Sequence, residues 1–292
     1  MTSPFSLQGK TAIVTGAARG IGRAVAIAYA QAGVTAIAGL DIAGRVSAIQ
    51  AYPVPGPADL AETGRLVEQA GARFLALTCD QRDGAALRAA VTQAHEALGR
   101  IDILAAIAGI QAFKPLMEMH DPDWDDQIDV NLTGTARILR LVAPIMARQG
   151  GGRIILTSST QGQHGMRDGA AYSASKWGLF GLMKSAALEL GDHHITVNAV
   201  VPGLIDTPLT RNYARYAQAM KESQGKTPDG MTEAELAQKI AAAQTRKIPL
   251  GVPFLPPEDI AGAYVYLASP AGRLITGASI GVTGGDSAHN LA

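Results

Sequence analysis

Residues 10–22 read KTAIVTGAARGIG: a short apolar run, 10–15, followed by glycines at 16, 20 and 22. A helical stretch, 23–32, comes next and is closed by Gly33. Strand, glycine-rich turn and helix in that order place backbone N–H groups at a helix N-terminus, where they can hold a pyrophosphate. The spacing is G-x-x-x-G-x-G, not the general G-x-G-x-x-G. The plainer alternative is a tight turn that needs glycine for its backbone alone.

Working outward, a second apolar run, 35–40, ends at Asp41. An acid about twenty residues past such glycines can accept hydrogen bonds from ribose hydroxyls, and its charge repels a 2′-phosphate. The nearby Arg45 is the competing signal, since an arginine can accommodate that phosphate. Residues 43–58 form an insertion. Pro53, Pro55 and Pro57 make its second half extended, while Ile42, Val46, Ile49 and Tyr52 offer apolar surface. It reads either as a cover over the adenosine end of a cofactor or as a solvated surface loop. Asp59 to Glu62 read as a capping box opening a helix that ends at Gly71.

A third strand, 74–77, leads to Cys79 and Asp80, and Asp83 starts an amphipathic helix closed by Gly99. Residues 101–107 are wholly apolar, which predicts a strand buried on both faces. Asp121 and Pro122 cap a long helix in which Trp124, Ile128 and Asn131 share the inward face. A strand over 154–156 runs to Ser159. Tyr172 and Lys176, four apart, then stack on one helix face and head an apolar row through Leu179, Met183, Ala186 and Leu190. An ammonium beside a phenol favours the phenolate, so the Tyr172 pKa is expected to fall from its ordinary value near 10. A helix start with a snorkelling lysine is the bland reading of the same pair.

Residues 195–201 form a sixth strand that runs into Pro202-Gly203-Leu204-Ile205-Asp206-Thr207. Residues 208–253 loosen into two helical pieces split by Thr227-Pro228-Asp229-Gly230, an excursion of the kind that forms a substrate lid. A last helix, 256–268, and a last strand, 278–282, complete the alternation. The pattern predicts one α/β domain over 1–292: a doubly wound parallel sheet of Rossmann type with helices on both faces and ligands at the strand C-termini.

Composition narrows the function classes. Lys+Arg and Asp+Glu balance at 25 each, so no electrostatic case exists for nucleic acid or an anionic membrane. Charged residues make up 17% and Gly numbers 33, as suits a buried sheet with tight turns. Cys79 is alone, which excludes a disulfide framework, and His193 and His194 lie in a polar turn with no acid at metal-ligand spacing, so no metal site is expected. The first ten residues lack a signal-peptide pattern and no apolar run has membrane-spanning length; a cytoplasmic protein is the expectation.

Thr15 with the glycines, Asn131, Ser159, Tyr172 and Lys176 together resemble the short-chain dehydrogenase/reductase family, and the motifs follow in the family's order from about Gly9 to Gly285. PGPADLAETGRLVEQ, LTSSTQG and FLPPEDIAGAYVYLAS look closest to its mycofactocin-coupled, carveol-dehydrogenase-like group. The resemblance implies hydride transfer between a nicotinamide and a secondary alcohol or its ketone, the substrate being cyclic or aromatic. Tyr172 would be general acid/base, Lys176 would tune it and bind the nicotinamide ribose, Ser159 would hold the substrate oxygen, and Asn131 would support a relay water. For Asn131 the alternative is a buried amide satisfied by backbone. The implied cofactor is NAD, with NADP disfavoured by Asp41. It would contact Gly16, Arg19, Gly20, Ile21 and Gly22 at the glycine turn, and Asp41, Asp80 and Gly109 beyond it. Pro202, Gly203, Ile205 and Thr207 would meet its nicotinamide end, with Tyr172 and Lys176. Asp80 would meet the adenine, or else simply cap the segment after it. A homotetramer with no nucleic-acid or membrane partner is the family's implication. The sequence departs from the pattern at residues 106–109, where N-N-A-G is usual and both Asn are missing; Ile107 removes an amide that ties the central strands together. An NADPH-dependent oxoacyl-thioester reductase and a non-catalytic nucleotide-binding protein are the rival readings.

Overall fold

The computed structural model describes residues 3–228 and 230–289, so Asp229, in the predicted break of the 208–253 segment, lies outside the described residues. Seven strands form one parallel sheet: β1 (Thr11–Thr15), β2 (Ala36–Asp41), β3 (Arg73–Thr78), β4 (Ile103–Ala106), β5 (Gly152–Thr157), β6 (Ile195–Pro202) and β7 (Ser279–Val282). Their order is β3-β2-β1-β4-β5-β6-β7. The order reverses between β1 and β4, and a parallel sheet opens a crevice at the strand C-termini at such a switch. Every residue of β1, β2 and β6 is buried, because helices cover both faces.

The two faces are separate cores. Ala12 and Val14 point to one, with α1 (Gly20–Gln31), α2 (Pro57–Gln69) and α9 (Pro257–Ala268). Ile13 points to the other, with α3 (Gly84–Leu98), α5 (Thr135–Arg148) and α6 (Ala170–Leu190). This two-residue alternation is the pleat of the strand made visible in the packing. Leu236, Ile240, Tyr216 and Phe254 form a third, smaller cluster beneath α7 (Tyr213–Gln224) and α8 (Glu233–Lys247).

Four local expectations are corrected. The strand expected over 101–107 pairs only as Ile103–Ala106, since the Ile107 N–H turns to the Thr15 hydroxyl (2.9 Å). Helix α2 begins before Asp59: Pro57 takes its first turn, and the Asp59 carboxylate accepts the Gly56 N–H from inside the helix (2.8 Å). A proline suits that position because its missing N–H has no intrahelical acceptor there. Likewise α4 (Asp121–Ile128) is capped one residue earlier than expected, with Asp123 accepting the His120 N–H (3.0 Å). Finally, Trp124 faces outward and is 38% exposed, while Asp123 and Gln127 face inward. A π-helical turn, Asp129–Gly134, follows α4. Its i→i+5 bonding carries more residues per turn than an α-helix, so a 3.6-residue projection across it loses phase.

Candidate active site

The glycine turn meets the switch point of the sheet. Gly16 has φ +68°, and a Cβ there would sit 2.9 Å from the Ala108 backbone; a Cβ on Gly22 would overlap the Gly16 carbonyl. Both positions therefore require glycine. Helix α1 has no side-chain cap and no acid in its first turn, so its first N–H groups and the positive end of its dipole are left for an anion. Asp41 stands beside this turn, one oxygen accepting the Ala18 N–H (3.0 Å) and the other the Ala43 N–H (2.8 Å). A carboxylate has about four acceptor sites, so each oxygen retains capacity for a ribose hydroxyl. Arg45 turns away and donates to the Gln50 carbonyl (2.9 Å). Glycine cradle, uncapped helix and buried acid fit the diphosphate and ribose of a dinucleotide.

The loop after β4 is irregular, and its backbone is held almost residue by residue. Ile107 and Ala108 donate to Thr15 Oγ1 (2.9 and 3.1 Å), Ile110 to Asn131 Oδ1 (2.8 Å), Gln111 to the Tyr52 hydroxyl (3.4 Å) and Ala112 to Gln127 Oε1 (3.0 Å). Buried backbone polar groups need such partners wherever no ladder supplies them. The junction that loses its amide at Ile107 is thus carried by Thr15. It is carried also by Thr157, whose hydroxyl donates to the Ala106 carbonyl (2.8 Å) while contacting the Tyr264 hydroxyl (2.6 Å).

Ser159, Tyr172 and Lys176 converge on one cleft of about 680 Å3, which also receives every residue singled out for the cofactor, from Gly16 to Thr207, Asp80 and Gly109 among them. Ser159 stands two residues past β5; its hydroxyl accepts the Gln161 N–H (3.2 Å) and lies near enough to Tyr172 to act on it. The Lys176 ammonium donates to the Thr157 carbonyl (2.9 Å) and lies 5.6 Å from the Tyr172 ring centroid. Asn131 sits just behind the cleft, fully buried, its amide donating to the Ile110 carbonyl (2.9 Å) and to Ser175 Oγ (3.1 Å). Ser175 in turn donates to the Tyr172 carbonyl (2.7 Å). The amide therefore braces the loop against the tyrosine-bearing helix. Asp80 binds Arg82 by side chain and backbone N–H (2.7 and 2.9 Å) and still borders the cleft.

The electrostatics differ from expectation. Burial pushes Tyr172 up to about 12; the Ser159 hydrogen bond and the Arg215 charge pull it down, and Tyr52 pushes it up. Burial lowers Lys176 to about 8. Two groups sharing a low-dielectric site each resist ionisation, so the expected net lowering of Tyr172 by its lysine is overturned by desolvation.

Residues 10–217 match the family model described as short chain dehydrogenase. The chain belongs to the short-chain dehydrogenase family. Among relatives, a (-)-trans-carveol dehydrogenase from Rhodococcus erythropolis is 36% identical over 96% of this chain and 98% of its own length. A 3-oxoacyl-[acyl-carrier-protein] reductase from Thermotoga maritima is 34% identical over 96% of this chain and 98% of its own. Among solved structures, a carveol dehydrogenase from Mycobacterium avium in complex with NAD superposes with a TM-score of 0.87 at 37% identity, covering 96% of this chain and 98% of that one.

On this short-chain dehydrogenase framework, three residues of the site went unmarked as site residues in the sequence. Tyr52, Gln111 and Arg215 all line the cleft. Tyr52 lies 6.0 Å from the Arg19 guanidinium and acts electrostatically on Tyr172. Residues 43–58 therefore reach from Asp41 across to Gln111 and the neighbourhood of Tyr172, further than the adenosine cover that the sequence suggested. Proline spacing and apolar content signalled an ordered segment; nothing in the sequence told where Tyr52 would land. No group of three or more His, Cys, Asp or Glu among the described residues is arranged to hold a metal ion. No described helix is long and apolar enough to cross a membrane.

Proposed function

We propose that the protein is an NAD(H)-dependent oxidoreductase interconverting a secondary alcohol, cyclic or aromatic, and its ketone. The observation that carries this reading is the convergence of Ser159, Tyr172 and Lys176 on the cleft that holds the glycine turn and Asp41. The carveol dehydrogenase relatives, one of them with NAD, support it. When bound, the nicotinamide ring accepts or supplies the hydride. The Tyr172 oxygen takes the carbinol proton in oxidation and returns it in reduction. Ser159 donates a hydrogen bond to the substrate oxygen and steadies the charge that develops there. The Lys176 ammonium balances the phenolate and would bind the nicotinamide ribose. Asn131 acts as a positioning residue through Ile110 and Ser175, and its Oδ1, which accepts one N–H, keeps a lone pair for a relay water.

Segment 208–253, carrying α7 and α8, serves as the substrate lid. It borders the cleft through Leu209, Arg215, Gln244 and Lys247. It is latched to the loop before Tyr172 by an ion pair between Lys221 and Asp168 (2.7 Å). The exposed Trp124, Trp177 and Leu188 offer apolar surface for a homotetramer, and the buried free thiol of Cys79 suits a reducing cytoplasm. The similarity to an oxoacyl reductase raises the alternative of an NADPH-linked ketoreductase. Asp41 opposes it by its charge.

The test is turnover of cyclic and aromatic secondary alcohols with NAD and NADP, and of the ketones with the reduced cofactors. Oxidation with NAD, at least tenfold more efficient than with NADP, is the expected outcome. No turnover across the panel with either cofactor would defeat the reading in favour of a nucleotide-binding protein, and a preference for NADP would transfer it to the alternative.

A further inference from the structure

One cation in the cleft has no task in hydride transfer. Arg215, on α7, lines the cleft and is close enough to Tyr172 for the two charges to interact. No salt bridge within 4.0 Å engages it among the described residues, although Glu222 and Asp286 are near enough to be felt electrostatically. Asp286 is paired with Lys247 (2.9 Å). Glu222 accepts from Gln218 Nε2 (3.0 Å) and from the Arg167 N–H (3.3 Å). Gln218 stands between the two charges, its Oε1 accepting from Arg215 and its amide nitrogen donating to Glu222. A guanidinium has five N–H donors, and this one donates to a single side-chain acceptor among the described residues. The Phe113 ring, 5.9 Å from it, flanks it further.

A half-buried cation without a contacting carboxylate carries a desolvation cost that nothing in contact offsets. An arginine serving only to dock the helix would gain more by touching Glu222 directly than through an intervening amide. The cleft offers a second sign of a polar ligand. Gln111, 6% exposed and lining the same cleft, has a side-chain oxygen with no partner among the described residues, as does Gln161. The guanidinium calls for an acceptor such as a carboxylate, whereas the two amide oxygens can only accept and call for a donor such as a ligand hydroxyl.

We propose that the substrate carries a carboxylate besides its reacting carbinol, and that Arg215 binds that carboxylate while Ser159 and Tyr172 hold the alcohol oxygen. This makes the substrate a cyclic or aromatic hydroxy acid, or the corresponding oxo acid, and makes Arg215 its specificity determinant. The proposal rests on the dehydrogenase reading for the reaction and adds the charge of the substrate. Planar, forked pairing of guanidinium with carboxylate gives the discrimination.

The test separates binding from turnover. Calorimetric titration of the NAD-saturated protein with benzoate and cyclohexanecarboxylate, each against its neutral amide, is expected to show the acids binding at least tenfold more tightly. Arg215→Gln should abolish that preference, and Arg215→Lys, which keeps the charge but not the fork, should retain part of it. In turnover, 3- and 4-hydroxycyclohexanecarboxylate should exceed their methyl esters in kcat/KM, and Arg215→Gln should bring that acid-to-ester ratio close to one. Acids and amides binding alike to the wild type, or no acid binding at all, overturns the proposal. If neutral alcohols are then still oxidised, the dehydrogenase reading survives it. An acid preference lost in Arg215→Gln, with no alcohol of either kind turned over, would instead keep the carboxylate site and remove the reaction.

Discussion

Single side chains set the proton chemistry. Tyr172→Phe keeps the buried ring and removes the hydroxyl that Ser159 contacts, so turnover is expected to fall at least a hundredfold, the range of a positioned acid/base. NAD affinity should be nearly unchanged; wild-type turnover in this variant would end the assignment. Lys176 adds a pH dependence. Its pKa is lowered to about 8 by burial, so its charge is complete below that value and is lost as pH rises through it. In the proposed mechanism, ketone reduction leaves a phenolate at Tyr172 and needs the ammonium beside it. The reduction rate should therefore be level near pH 7 and decline through an apparent pKa near 8. Lys176→Arg, which stays charged, should move that limb upward if it folds, and a wild-type profile flat to pH 10 would remove the lysine from the mechanism. At the other end of the cleft, Asp41→Asn keeps a polar side chain at the Ala18 and Ala43 N–H groups while deleting the charge. The ratio of NAD to NADP efficiency should drop about tenfold, a change of ~1.4 kcal/mol. A ratio that does not move would shift the choice to another group of the cleft, such as Arg19.

Elements determine how the cofactor is enclosed. The 43–58 segment has almost no regular structure before α2, yet Ser47, Gln50 and Tyr52 are buried. Gln50 organises it. Its Oε1 accepts the Val46 and Ser47 N–H groups (2.8 and 3.0 Å), its carbonyl accepts from Arg45, and its Nε2 donates to the Tyr52 hydroxyl (3.2 Å). The prolines reduce the entropy lost in ordering such a segment. Because Tyr52 reaches the Gln111 N–H, the segment bridges the cleft from Asp41 to the loop after β4. Slow NAD release is the expected consequence, with some protein purified already loaded. Denaturing a desalted sample and assaying the supernatant for NAD checks it. Replacement of 43–58 by a short Gly-Ser turn should give empty protein that exchanges cofactor fast, and rapid exchange in the wild type would reduce the segment to a surface loop.

At the scale of the whole molecule, the two ends of the sheet divide stability from chemistry. The cleft lies at the strand C-termini. Beneath the N-termini of β1 and β4, Asp102 accepts the Thr11 N–H (3.0 Å) and binds Arg100 (2.6 Å) and Lys10 (3.4 Å). Burial raises the Asp102 pKa, and Arg100, the Thr11 N–H and Lys10 together outweigh it, leaving the carboxyl below its ordinary value. A depressed folded pKa gives stability that is present above the unfolded value, near 4, and lost as pH falls through the folded one. Asp102→Ala strands the Thr11 donor and should cost roughly 2 kcal/mol, lowering Tm by roughly 3 °C. At 25 °C, kcat/KM should be unchanged, as the site is at the far end of the sheet. Denaturant melts at pH 7 and pH 3 check it: the gap between variant and wild type should close in acid.

Much of this was legible in the sequence, because the signals involved are local. Strand–turn–helix alternation, the glycines at 16, 20 and 22, and the four-residue step from Tyr172 to Lys176 each express a backbone period or a φ requirement, and they determine the fold class and the pairing of Tyr172 with Lys176 on one helix face. The sequence read alone failed where distant segments compete. Asp59 reads as a cap until Pro57 takes the first turn, Trp124 reads as inward until the π turn shifts the phase, and Ile107 reads as a weak junction until Thr15 and Thr157 are seen to hold it. Only the tertiary structure could put Tyr52, from residues 43–58, and Arg215, from α7, into one cleft with Tyr172. It alone could show burial outweighing the lysine in setting the phenol's pKa. Desolvation and pairing depend on which surfaces meet, and residues far apart in sequence carry no local pattern that says so.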